Sequence, residues 1–375
     1  MEKQKTFWKI NFISLAIILS SIIMKKEDVL AVTLSHHFSS PQDTSSNRLG
    51  LLEAYQDPVI GPSHPDVIAS DNQSGFETGQ VVKIDGKYHM FVNEMFERPH
   101  RDMRIAYWTS EDAIHWSRRV TIKESIPGRS PSNPLSEVWV TGVEFNEEEN
   151  AWNIFYVAYR GGDEAKGELK GYDYEGKIWR AKSVIPGKGG IAGPYADMGI
   201  IMQQDENSQQ WEGEQAVATF NPYKAGNTWY AFYDGHNHTP RGPWPTGLAF
   251  ASKLSGPWTR MPEGFNPVPI VDEFMENPQV TKMGNGRFLT VFDTFGDQEI
   301  GYSISEDGIH WGPEIRLKVQ SEDNIWAEDG DHAMRTPLCI IEEEDGTFTV
   351  IYTAMSIVDG QKFYAVGKCT LGWKP

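Results

Sequence analysis

The chain is poor in cysteine. Only Cys339 and Cys369 occur among 375 residues, which excludes a disulfide framework or a cysteine-based metal site and predicts two free, buried thiols. Positive charge is also scarce: 34 basic against 52 acidic side chains leave a formal net charge of -18. That balance argues against nucleic acid or an anionic membrane surface as partner. Helical periodicity is missing as well, and nothing longer than a turn or two reads as helix. Aromatic residues are abundant instead: 13 Trp, 14 Tyr and 18 Phe in a chain that is 39% apolar. Such a chain can bury a substantial core, and its surplus of rings suits either stacking on sugars or aromatic-rich β-packing.

The N-terminus reads as a targeting segment. Lys3, Lys5 and Lys9 precede the apolar run Phe12 to Met24, which is short for a bilayer span and fits a signal-peptide core. Residues 1–31 are therefore expected to be a signal peptide or an N-terminal anchor, with Val29-Leu30-Ala31 as a cleavage site and Met24 as an alternative start. The expected destination is secreted or periplasmic. Residues 32–74, rich in Ser, Pro, Asp and Asn from His36 on, read as a linker and an extended lead-in.

From Gly75 a unit repeats. Val81, Val82 and Ile84 form a short β-branched run, Asp85-Gly86 is a type I′ turn signal, and Tyr88, Met90 and Val92 alternate on the way back. This is a β-hairpin. Its returning strand recurs at Trp152-Asn153-Ile154-Phe155-Tyr156, Trp229-Tyr230-Ala231-Phe232-Tyr233, Phe288-Leu289-Thr290-Val291-Phe292 and Phe348-Thr349-Val350-Ile351-Tyr352. Stretches such as Met103 to Trp108 and Glu299 to Ile304 supply further strands between copies. Five hairpins with two more strands each predict an all-β, five-bladed β-propeller over 75–375. The turns Ser110-Glu111-Asp112-Ala113-Ile114-His115-Trp116 and Ser305-Glu306-Asp307-Gly308-Ile309-His310-Trp311 hold equivalent places in two units. Their His-Trp pairs read as architecture.

These residues carry a resemblance. Leu248-Ala249-Phe250-Ala251-Ser252-Lys253-Leu254-Ser255-Gly256-Pro257-Trp258 resembles the blade-edge signature of glycoside hydrolase family 43, and the Ser-x-Asp-x-x-His-Trp turns are similar to those of families 32, 43 and 117. The resemblance spans about Gly75 to Trp373. It implies hydrolysis of a plant or algal poly- or oligosaccharide, by inversion, with carboxylates gathered at one mouth of the channel. Glu77 stands where those families place a first-blade Asp, and is longer by one methylene.

Glycosidic cleavage needs one protonated and one ionised carboxyl flanking the bond. Strand-entrance candidates are Glu77, Glu137, Glu214 and Glu276. Glu137 and Glu214 both lie fifteen residues before the aromatic of their returning strand, which suggests equivalent positions. Glu77 is expected as base and Glu214 as acid, with Glu212 an alternative match for the family's acid. Glu137 is expected to tune that acid, with Glu144 as rival. Glu276, His236, Asp331, His332 and Arg335 are expected to bind substrate. His236 and His238 show too few companions for a metal site. No cofactor is required, although the central channel leaves room for a structural calcium. Two other functions fit the same fold: a phosphorylase similar to family 130, with Arg98, His100, Arg101 and Arg104 holding phosphate, and a non-catalytic carbohydrate-binding propeller.

Overall fold

The computed structural model describes residues 48–96, 102–128, 130–169, 173–213, 216–236, 244–271, 274–294, 299–321, 326–328 and 335–374. Four sheets of four antiparallel strands follow in chain order. The first contains β2 (Gly75–Ile84), β3 (Lys87–Met95), β4 (Met103–Ser110) and β5 (Trp116–Glu124). The second contains β6 (Glu137–Asn146), β7 (Ala151–Gly161), β8 (Asp173–Ser183) and β9 (Tyr195–Met202). The third is β10 (Ala216–Ala225), β11 (Thr228–His236), β12 (Thr246–Ala251) and β13 (Thr259–Arg260). The fourth is β14 (Glu276–Lys282), β15 (Phe288–Asp293), β16 (Glu299–Ser305) and β17 (Ile315–Lys318). Hairpin chemistry is as the sequence predicts: Asp85 and Gly86 both adopt positive φ, +50° and +82°, between β2 and β3.

A fifth sheet is assembled from both ends of the described chain. β18 (Arg335–Glu342), β19 (Phe348–Val358) and β20 (Gln361–Lys374) are joined at the outside by β1 (Arg48–Ala54), with Arg48 opposite Lys374 and Ala54 opposite Cys369. Part of the expected lead-in is therefore blade. Its sequence hides this because only Leu49 is fully buried in it, and its partner lies some 320 residues away. The helix α1 (Pro65–Ala69) follows, started by His64, whose Nδ1 accepts from the Asp66 amide.

The first strands form a ring: β2 packs beside β6, β6 beside β10, β10 beside β14, β14 beside β18, and β18 beside β2 again. The architecture is a β-propeller. Side-chain amides join its inner edges. Gln80 Oε1 accepts from the Val143 amide, Asn93 bridges to Val138 O and Val140 N, Asn221 Nδ2 donates to Thr141 O, and Gln279 Nε2 donates to Gly79 O at 3.2 Å. The Gln279 bond joins β14 to β2, which are not neighbours in the ring, so the channel is narrow at that depth. Neighbouring sheets also touch through backbone: Gly75 bridges to Tyr364. A Cβ on Gly75 would stand 2.1 Å from Tyr364 O, and its φ is +90°, so only glycine fits there.

Apolar side chains fill the spaces between sheets, with Trp108, Tyr156, Tyr233, Tyr302 and Tyr352 among the largest that are fully buried. Both recurrent turns are architectural. Asp112 accepts from the amides of Ile114 and His115 and from His115 Nδ1, Asp307 does the same for Ile309 and His310, and Trp116 and Trp311 are buried. Cys339 and Cys369 are free and buried.

Candidate active site

Each first strand carries one extra residue shortly after its start. The bulges fall at Thr78 in β2, Thr141 in β6, Thr219 in β10, Asn277 in β14 and Leu338 in β18. Thr78, Thr219 and Asn277 take positive φ of +48°, +47° and +52°. A bulge bends its strand and re-aims the side chains beside it, and four of these five positions, all but Leu338, face one open pocket.

Glu77 and Glu276 both stand immediately before their bulges, and both line that pocket, partly exposed. They belong to the first and fourth sheets, which are not adjacent in the ring. Asp173, the first residue of β8, adds a third carboxylate, and His236, the last residue of β11, adds an imidazole that is 8% exposed. Aromatic walls come from Trp139, Tyr159 and Trp244. The His236 and Trp244 rings lie 3.7 Å apart between centroids, and Trp244 is bridged through its backbone to Phe274. Carboxylates able to move protons thus share a cleft with flat faces able to stack on a sugar ring.

Of the residues expected from sequence, Glu77, Glu276 and His236 meet here. Glu137 does not line the pocket: it is fully buried beside it, accepting from the Trp139 indole at 3.2 Å. Glu214, which shares its spacing to the returning aromatic, lies outside the described residues. The count of fifteen runs through a four-residue turn between β6 and β7 but a two-residue turn between β10 and β11. Glu137 stands four residues before its bulge.

Glu212 is committed elsewhere. It is fully buried and takes Arg260 Nε on both oxygens at 2.7 and 3.0 Å and the Tyr233 hydroxyl at 3.0 Å. Both of its oxygens are thereby taken up, and it is not among the pocket-lining residues. Arg104 is committed too, to Glu94 at 2.5 Å and Ser70 O at 2.6 Å, which removes it from a phosphate pocket. Arg335 is placed by its backbone as the first residue of β18, opposite Ala354. Glu214, Asp331, His332, Arg98, His100, Arg101, His238 and the N-terminal segment lie outside the described residues. Among the described residues, no group of three His, Cys, Asp or Glu could hold a metal ion.

Sequence reasoning missed Asp173, Trp139, Tyr159 and Trp244. Asp173 opens a third strand rather than a hairpin. The three aromatics look, from sequence, like any other core ring, and only the channel geometry sets them apart.

Glu144 lies seven residues along β6 from Glu137 and is not a pocket residue. Its place in the sequence suggests a side chain facing solvent near the next turn. Some of its surface is open, but dense surroundings push its carboxyl up to about 8 from an ordinary 4.5. The folded chain then holds a proton that the unfolded chain releases, so stability from this group is full below about pH 4.5 and is lost as pH rises to about 8. Urea unfolding at pH 5, 6.5 and 8 should show wild type losing stability relative to Glu144→Gln as pH rises. Parallel profiles would rule this out.

No family model matches the chain, and no curated protein matches it. Solved structures do. The fold is that of the propeller glycoside hydrolases. Similar structures include Zg3597, a family 117 glycoside hydrolase from the marine bacterium Zobellia galactanivorans, at 13% identity and a TM-score of 0.58, covering 87% of this chain and 90% of that one. A complex of BT0996 with RGII gives 12% and 0.56, covering 86% and 92%. An α-L-arabinofuranosidase from Lactobacillus brevis gives 14% and 0.53, covering 79% and 91%.

Proposed function

We propose that the chain is a glycoside hydrolase that cleaves a plant or algal poly- or oligosaccharide. The observation that carries this reading is the meeting of Glu77, Glu276 and Asp173 with Trp139, Tyr159 and Trp244 in one pocket at the bulged starts of the inner strands. Glycosidic hydrolysis requires carboxyls on opposite sides of the bond, and carboxylates from two non-adjacent blades suit that demand. The neighbours support the reading at the level of fold: one is an arabinofuranosidase and another a complex with RGII.

In this reading Glu77 is the base. It activates a water that attacks the anomeric carbon, with inversion, while a second carboxyl protonates the departing oxygen. Glu214 or Glu276 supplies that acid, and Glu137 fixes the pocket wall through Trp139. Asp173 and His236 hold sugar hydroxyls. The basic-then-apolar start of the chain supports export to the periplasm or medium.

The test is incubation of the purified protein with a panel of neutral and acidic plant and algal oligosaccharides, read by product chromatography. A new reducing end from at least one member is expected. Tight binding of several members with no product would replace this reading with a binding propeller.

A further inference from the structure

Behind the pocket wall, on β11, lies Asp234, fully buried. It sits opposite Ala218 of β10 on one side and Thr246 of β12 on the other. Thr219 and Trp244, both in the pocket wall, approach its carboxyl. Its firm partner is Thr246, whose Oγ1 stands 2.6 Å from Asp234 Oδ1 and, at the same time, 2.8 Å from Met275 O.

Those two distances raise a proton-counting question. A threonine hydroxyl has one hydrogen. A backbone carbonyl and a carboxylate can only accept, so an ionised Asp234 would leave one of the two close contacts without a proton between its oxygens. A neutral Asp234 resolves both: its own hydroxyl donates to Thr246 Oγ1, and Thr246 donates to Met275 O. The first sheet offers a parallel. Asn93, which faces Glu77 across β2 and β3 as Asp234 faces Ala218 across β10 and β11, donates Nδ2 to Val138 O in the neighbouring sheet at 2.5 Å. At the equivalent site a side chain that is a neutral donor already reaches the next blade.

We propose that Asp234 is protonated in the folded protein and, through Thr246, is a positioning residue that fixes the backbone at Met275 and so places Glu276 in the pocket.

Burial supports the proton's staying on: it pushes the Asp234 carboxyl up to about 7 against the opposing pull of Thr246, Thr219 and Trp244. Its titratable surroundings are few. On its own strand there is His236, two residues on. Behind Gly235 is Glu212, since a Cβ there would stand 2.4 Å from Glu212 Cα; Glu212 is itself held by Arg260. Beyond Met275 is Glu276. β12 carries no charged residue, and β10 carries only Lys224, near its far end. As pH rises through about 7, Asp234 ionises and draws the Thr246 hydrogen to itself, and Met275 O loses its donor. The support for Glu276 is then weakened from within the fold.

This inference rests on the glycosidase reading only for its consequence in turnover. Both tests below are made without substrate, so their failure is separate from failure of that reading. The first compares urea unfolding of wild type and Asp234→Asn from pH 4 to 9. Asparagine keeps a neutral donor at every pH. The folded wild type holds a proton that the unfolded chain gives up, so the ratio of its folding constant to that of Asp234→Asn should fall about tenfold per pH unit between about 4 and 7 and then level off. A ratio that is flat over this range overturns the proposal. The second is hydrogen exchange of the peptide spanning 274–278, corrected for intrinsic rates. Its protection should fall above pH 7 in wild type, persist in Asp234→Asn, be lost at all pH values in Thr246→Val and return in Thr246→Ser. Unchanged protection in Thr246→Val, or a wild-type profile identical to that of Asp234→Asn, overturns it.

Discussion

Replacing Glu77 by Gln is expected to reduce turnover on an identified oligosaccharide by about a hundredfold or more, because general acid or base contributions are typically of that size. Glu276→Gln should fall in the same range if that carboxyl is the acid, and much less if Glu214 is. Both side chains are partly exposed and line the pocket, so melting temperatures should stay close to wild type. The two roles are separable. Truncating the base in Glu77→Ala leaves a gap that azide can occupy, restoring part of the rate by attacking the anomeric carbon itself and yielding a glycosyl azide. Loss of the acid should be felt least on substrates whose leaving group needs no proton. Near wild-type turnover in Glu77→Gln would falsify the base assignment and move attention to Asp173.

The hairpins were legible in sequence because each states itself locally: a β-branched run, a turn signal such as Asp85-Gly86, and an alternating aromatic return. Five repeats of that statement imply a propeller. What was not legible depends on distant pairing. β1 is a strand because β20 offers it an edge, and nothing in Arg48–Ala54 announces this. The bulges at Thr78, Thr219 and Asn277 have no sequence signal either, yet they decide which side chains enter the pocket. Counting from the returning aromatics grouped Glu137 with Glu214; counting from the bulges groups Glu77 with Glu276 instead. That Glu212 is held by Arg260, 48 residues beyond it, could not be read from sequence either.

The largest loss of stability is expected at Glu94, which sits opposite Phe76 across β2 and β3. Its side chain is fully buried and receives Arg104 Nε at 2.5 Å, Arg118 Nε at 3.0 and 3.2 Å, and the Trp108 indole at 2.9 Å. The two guanidinium groups are themselves only 11% and 17% exposed. The Arg104 guanidinium also carries the lead-in, with Nη2 donating to Ser70 O, and beside it the backbone N–H of Arg118 donates to Asp66 Oδ2. Glu94 is therefore the charge that pins α1 and its neighbours onto the first sheet. Glu94→Ala leaves two poorly hydrated cations facing each other without an anion, and breaking a buried pair in this way costs about 3–5 kcal/mol. Glu94→Gln keeps an acceptor for Trp108 and should cost less, though it still leaves the arginines uncompensated. The exposed pair Lys87–Glu111, at 33% and 76% exposure, is the control, and Glu111→Ala should cost no more than about 1 kcal/mol. Urea midpoints for the three variants, converted with a shared slope, decide the matter. A Glu94→Ala cost as small as that of Glu111→Ala would mean that water reaches the arginines and that the cluster is not the clamp described.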